Sequence, residues 1–221
     1  MARPHSRLRL YVPAYLFALC FTHHLTAILL LPALVIAAGF AVKARRRVPW
    51  RELAVSCGAA LLPLTIHLYL PIRSRLKPAV NWDYPESWYR LTTHVSAAQY
   101  RPMLGSEGFR WQELRRFLGS QLPHEATILL PALALLGAIV LWRESRRTLL
   151  ITAPLALGYL LYNSLYAIHD IEVYYLPVVL ILALWAGVGV SWIARVVARE
   201  PRPLRIAFAL GCVWLVGWTA V

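Results

Sequence analysis

The sequence predicts an all-α fold, a polytopic transmembrane bundle of about seven spans in which residues 1–221 form a single transmembrane domain and one long outer loop carries interfacial helices. Three observations predict it. Apolar residues make up 59% of the chain and charged residues only 15%, whereas soluble domains run near ~45–50% and ~25%. Charges are missing from whole stretches: the 33 residues between Arg9 and Lys43 and the 20 between Glu52 and Arg73 contain no Asp, Glu, Lys or Arg. Comparable runs follow near 127–142, 148–169, 173–194 and 206–221, and a bilayer core of ~30 Å needs ~20 helical residues. The third observation is that the basic residues divide unequally between alternate loops.

The first run is too long for one upright helix, and His23-His24 divides it into spans 8–22 and 25–42, a tight hairpin with the histidines at its turn. The remaining spans are expected at 53–70, 126–142, 148–166, 174–194 and 204–221. With the N-terminus cytoplasmic, 15 of the 23 Lys and Arg residues fall in cytoplasmic segments, which then sum to +12 against +1 outside. Lys and Arg concentrate on the cytoplasmic side of membrane proteins. The formal charge of +13 is therefore a topology signal, and no nucleic-acid partner is expected. No small-residue cleavage site follows the first apolar run, so a cleavable signal peptide is not expected. Cys20, Cys57 and Cys212 sit inside apolar runs and read as small packing residues, with neither a disulfide framework nor a zinc site implied.

Residues 71–124 form the one substantial extracytoplasmic loop of this topology. Trp88, Leu91 and Val95 recur at helical spacing, as do Trp111, Leu114, Phe117 and Leu118, with Arg90, Arg110, Arg115 and Arg116 on the flanks. This pattern predicts two amphipathic helices, near 86–99 and 109–122, lying at the headgroup level where Trp and Arg are both well solvated. Ser106 is placed to cap the second.

The informative polar residues collect on the outer side: His23, His24, His67, Arg73, the segment from Asn81 and Trp82 through Asp83 to Pro85, His94, Tyr100, and His169 through Glu172. Outer loops are polar in any membrane protein and Trp and Tyr form interfacial belts, so a shared site competes with a plain solvated face. A helix starting just after His24 would offer unpaired N–H groups beside imidazole donors, a setting for a lipid phosphate. Arg73 follows a helix end, where its guanidinium either forks onto phosphate or snorkels to the interface. Asp170 and Glu172 are loop carboxylates, solvated unless the polar and aromatic residues around them, from Tyr162 and Asn163 to Tyr174 and Tyr175, form a sugar site. Two histidines make a poor metal site, and no carboxylate or Cys stands at ligand spacing.

Four segments carry a family resemblance: His23-His24-Leu25-Thr26 before a Leu-Leu-Leu-Pro run; Leu68-Tyr69-Leu70-Pro71-Ile72-Arg73; Asn81-Trp82 leading to His94-Val95-Ser96-Ala97-Ala98-Gln99-Tyr100; and Asp170-Ile171-Glu172-Val173-Tyr174-Tyr175-Leu176-Pro177. In this order they resemble the C-type membrane glycosyltransferase family that includes the endoplasmic-reticulum O-mannosyltransferase of plexin-type receptors and its bacterial relatives. The resemblance implies an integral, multi-pass protein, in a bacterial inner membrane rather than the endoplasmic reticulum. It would take a sugar such as mannose from a polyprenyl-phosphate carrier and support its transfer to a protein or glycan acceptor on the outer face. The substrate-binding residues would be His23, His24, Arg73, Asn81, Trp82, His94, Tyr100 and Tyr174, with no cofactor and no metal.

Two features depart from the family pattern. After Asn-Trp the family reads Gly-Asp-Pro, where this chain has Asp83-Tyr84-Pro85. The family's catalytic acidic motif stands in the first outer loop, which here is only His23-His24. The chain is therefore expected to be the later part of a larger transmembrane domain and inactive alone, with Asp170 and Glu172 the only substitutes in view for the missing catalytic carboxylate. The competing expectation is a non-enzymatic lipid or sugar transporter or flippase subunit. Such a protein would place ionisable groups or broken helices near the bilayer midplane, where these spans carry no charges.

Overall fold

A computed structural model of the chain describes residues 5–45, 49–126, 129–203, 206 and 211. Among the described residues the regular structure is helical, with no strand. The chain divides into two compact units, residues 1–106 and 107–221.

In the first unit, α1 (His5–His23) packs on α3 (Trp50–Leu64). Between them the chain breaks at His24, enters a 3-10 turn (Leu25–Leu30) and continues as α2 (Leu31–Arg45). Turn and helix together give a 20-residue apolar helix, Leu25–Ala44. A second 3-10 turn (Thr65–Leu68) carries α3 into α4 (Tyr69–Arg75), making one helix of 26 residues, Trp50–Arg75. The sequence places the end of this span at Leu70, before Pro71. The helix instead runs on to Arg75, the 3-10 turn before α4 being the local adjustment with which the chain stays helical past Pro71.

The loop that follows holds α5 (Trp88–Val95) and a 3-10 turn (Ala98–Met103). Ser87 starts α5 by accepting a bond from the Arg90 amide at 3.3 Å, and of its residues Leu91 is buried while Trp88 and Tyr89 are exposed. The second unit opens with α6 (Trp111–Arg116), a π turn (Phe117–Gln121) and α7 (Leu122–Ala126). Residues 88–95 and 111–116 are thus helical. Ser106, however, is no cap: its hydroxyl donates to the Met103 carbonyl, and α6 starts from Arg110 without a side-chain cap.

The rest of the second unit is α8 (Leu129–Glu144), α9 (Arg146–Leu165), a 3-10 turn (Ile171–Tyr175) and α10 (Leu176–Val197). Helices α8 and α10 run side by side in the same direction. Gly137 and Gly189 meet in mid-seam, and at one end Glu144 takes a bidentate bond from Arg195 at 2.9 and 3.0 Å. A Cβ on Gly137 would strike the Trp185 carbonyl and one on Gly189 the Leu133 carbonyl, so two bare backbones are what allow the approach. The Trp185 indole N–H ties α10 to α9 through the Thr152 hydroxyl at 2.9 Å.

Among the described residues four helices are long and apolar enough to cross a membrane, Leu25–Ala44, Trp50–Arg75, Arg146–Leu165 and Ile171–Val197. Trp111–His124 with Leu129–Glu144, bent by 104°, makes up to five, and the apolar part of α1, Leu10–His23, is shorter. The span expected at 204–221 lies outside the described residues, Ile206 and Gly211 apart. Leu61, Leu62, Leu135, Leu157 and Leu184 are all exposed on these helices. Apolar side chains in such positions fit a lipid surround, the mark of an integral membrane protein.

Candidate functional site

The first unit gathers a polar cluster in the loop after α4. Asn81 fixes the loop's start, its amide donating to the carbonyl of buried Ser74 at 3.3 Å. Asp83 and Tyr84 then follow one another in the left-handed region, at φ 57° and 48°. Consecutive left-handed residues turn the chain sharply, and for a residue with a Cβ each costs on the order of 1 kcal/mol or more. Buried Pro85 and the Ser87 cap lead into α5, which ends at Val95, and Ala97, left-handed at φ 47°, reverses the chain again. Among the described residues every non-glycine with positive φ lies between Lys77 and Ala97.

These reversals bring three side chains to one atom. Asp83 Oδ2 accepts from His94 Nδ1 at 3.1 Å and from the Gln99 side-chain amide at 2.8 Å. The His94 side chain is 25% exposed and that of Asp83 38%. With Nδ1–H donating a hydrogen bond to the carboxylate, the neutral imidazole keeps its basic lone pair on Nε2. His67, on the helix below, lies within electrostatic reach of His94.

His24 has the opposite arrangement. It adopts an extended conformation and caps the turn that opens α2, its Nδ1 accepting from the Thr26 amide at 3.3 Å and lying 2.8 Å from the Thr26 hydroxyl. The helix start expected after His24 is therefore present, with the imidazole itself satisfying one of its N–H groups. Partial desolvation, and then the charge of neighbouring His23, hold the His24 imidazole below its ordinary range. The neutral ring, accepting at Nδ1, carries its proton on Nε2, whereas the His94 ring donates from Nδ1. Arg73 is exposed in the last turn of α4 and pairs with no carboxylate among the described residues. Trp82 is exposed and Tyr100 half-buried.

In the second unit the carboxylates singled out by sequence stand at the turn between α9 and α10. Asp170 and Glu172 are both exposed, and Glu172 pairs with Arg116. The neighbouring polar and aromatic residues pack inward. Asn163 is fully buried and donates to the Tyr174 carbonyl at 2.9 Å, and Tyr175 stacks on Phe117 with ring centres 4.0 Å apart. Tyr174 is half-buried, its ring edge-on to Tyr166 at 5.7 Å.

Arg110, expected only as a flanking charge, organises this region. Its amide donates to the Ser164 carbonyl at 2.7 Å and its guanidinium to the Tyr166 carbonyl at 3.1 Å, while Glu107 and Glu113 each approach it at 3.2 Å. The signal was present in the sequence as two acids three residues to either side of one arginine. The Asp83–His94 pair gave none, because its members are separated by a loop and most of a helix. No family model matches the chain, and no curated protein or solved structure matches it either.

Proposed function

We propose that the chain is a glycosyltransferase-like integral membrane protein that binds a polyprenyl-phosphate sugar and supports transfer of the sugar, mannose in the first instance, to a protein or glycan on the outer face. One observation carries this reading: Asp83, between two of the segments that bear the family resemblance, Asn81-Trp82 and His94 to Tyr100, is bonded to His94 and Gln99 of the second. In the proposed arrangement the N-terminus is cytoplasmic, and α1, α8 and residues 204–221 join the four long helices to make seven spans. Helix α5 and the 111–126 segment lie along the outer surface of a bacterial inner membrane, with Trp82, Trp88, Tyr89 and Trp111 exposed to it. Arg73 takes the donor phosphate, aided by the His23-His24 turn.

Donor binding tests the reading. The full chain in detergent micelles, titrated with polyprenyl-phosphate mannose and its glucose counterpart, should saturate with one of them. Arg73→Ala should weaken that binding by about 1.5–3 kcal/mol, the worth of a charge-assisted hydrogen bond, and Arg90→Ala by less. If no sugar carrier binds saturably, the reading fails. The topology is checked separately with cysteines placed at Ser106 and Ser145, of which only the first should react with an impermeant thiol reagent on intact cells.

A further inference from the structure

We propose that His94, oriented by Asp83, is the general base of the transfer reaction. This rests on the donor-binding reading above and deepens it. The family resemblance would assign the base to a carboxylate in a first outer loop that here is only His23-His24, and Asp170 and Glu172 are exposed loop acids, the second already paired with Arg116. The loop after α4 supplies another candidate. A base needs a lone pair, a fixed direction and access. Asp83 accepts a hydrogen bond from the Nδ1–H of His94 and so leaves the lone pair on Nε2. Gln99 holds the same carboxylate oxygen from the other side at 2.8 Å, fixing the direction. Access comes from the quarter of the His94 side chain that remains open.

The backbone supports the assignment. Left-handed conformations at non-glycine residues are costly and persist where the surroundings over-determine them. Among the described residues they are confined to Lys77, Asp83, Tyr84 and Ala97, at the turns that deliver Asp83, His94 and Gln99 to one another. Glycine would make the same turns without strain.

In the proposed step the acceptor hydroxyl gives its proton to His94 Nε2 as its oxygen forms a bond to the anomeric carbon. The bond from that carbon to the phosphate oxygen breaks, and its electron pair leaves with the polyprenyl phosphate. The imidazolium then returns its proton to water. Asp83 keeps its negative charge throughout and stabilises the imidazolium, as the carboxylate of a Ser-His-Asp triad does. His94 is thus the catalytic residue and Asp83 a positioning residue.

The test uses the full chain reconstituted in lipid vesicles with polyprenyl-phosphate mannose, and reads both donor binding and release of polyprenyl phosphate, which occurs whichever hydroxyl, water included, accepts the sugar. The wild type should release it. With donor saturating, His94→Gln should release polyprenyl phosphate about 10²- to 10⁴-fold more slowly, the usual range for loss of a general base. His94→Gly should recover part of the rate in added imidazole, a rescue that a merely structural role would not give. Asp83→Asn should lower kcat with little change in KM, and Asp83→Glu should restore part of it. A His94→Gln protein as fast as the wild type overturns the base assignment and leaves the transferase reading standing. Donor binding without release by the wild type overturns the assignment and leaves donor binding standing, and absence of donor binding overturns both.

Discussion

Asp83 and Asn163 each fasten a loop to a helix, one in each unit, and they do it with different chemistry. Asp83 is more than a third exposed, bonds to two side chains and sits on left-handed backbone. Asn163 has no exposure at all and bonds to a backbone carbonyl at the end of a turn. An amide locked to the main chain can hold a shape and little else. A carboxylate that shares a proton-bearing ring with solvent can hold a shape and also bias where a proton sits. Under the proposed function the second unit is scaffold and the first is where the chemistry is set up.

The largest effect should come from the seam of the second unit. Gly137→Leu forces α8 away from α10, and should destabilise the protein by about 3 kcal/mol or more as overpacking against backbone. Thermal unfolding in detergent measures it, and an unchanged transition would mean the seam is not a constraint. Next, Asn163→Ala removes a buried hydrogen bond and should cost about 1–3 kcal/mol, while donor binding per folded molecule stays at the wild-type level. A loss of donor affinity would erase the contrast with Asp83.

Tyr84→Gly probes the opposite corner. Relief of a left-handed tyrosine should stabilise the fold by about 1 kcal/mol and at the same time loosen Asp83, lowering any rate that depends on His94. Destabilisation would show that the turn stores no strain. The smallest effect belongs to His24. Its loss as a cap in His24→Ala should cost about 0.5–1 kcal/mol, with His24→Asn retaining most of the cap. Because the folded-state value of His24 lies below the unfolded one, its contribution is fully present above the ordinary imidazole value of 6.5 and is lost as pH falls through the lowered folded value. A stability difference between wild type and His24→Asn that does not grow on acidification would refute this.

The long apolar helices were legible because hydrophobic match is a local property: an uncharged run of the right length announces a helix wherever its partners are. That is why Leu25–Ala44, Arg146–Leu165 and the helix ending at Val197 fall close to their expected bounds. The helix end at Arg75 was not legible, since Pro71 reads as a stop unless the 3-10 turn before it is known. His24 could be placed at a helix start from the sequence, though not its capping bond, which depends on its extended backbone. The Asp83–His94–Gln99 cluster was least legible of all. It depends on left-handed turns at Asp83, Tyr84 and Ala97, residues that carry no glycine-like signal of reversal, and no short spacing connects its members.

The glycine seam between α8 and α10 has a consequence for biosynthesis. Two neighbouring helices that point the same way cannot be joined by a short hairpin; the chain must travel back along their length, as α9 does with its 20 residues. In the proposed seven-span arrangement α8 enters the membrane with its bare backbone groove at Gly137 unoccupied. It stays uncovered until the ribosome has delivered both α9 and the start of α10, so a stalled or truncated chain ending before Trp185 would present that groove to lipid and to any other small-residue helix nearby.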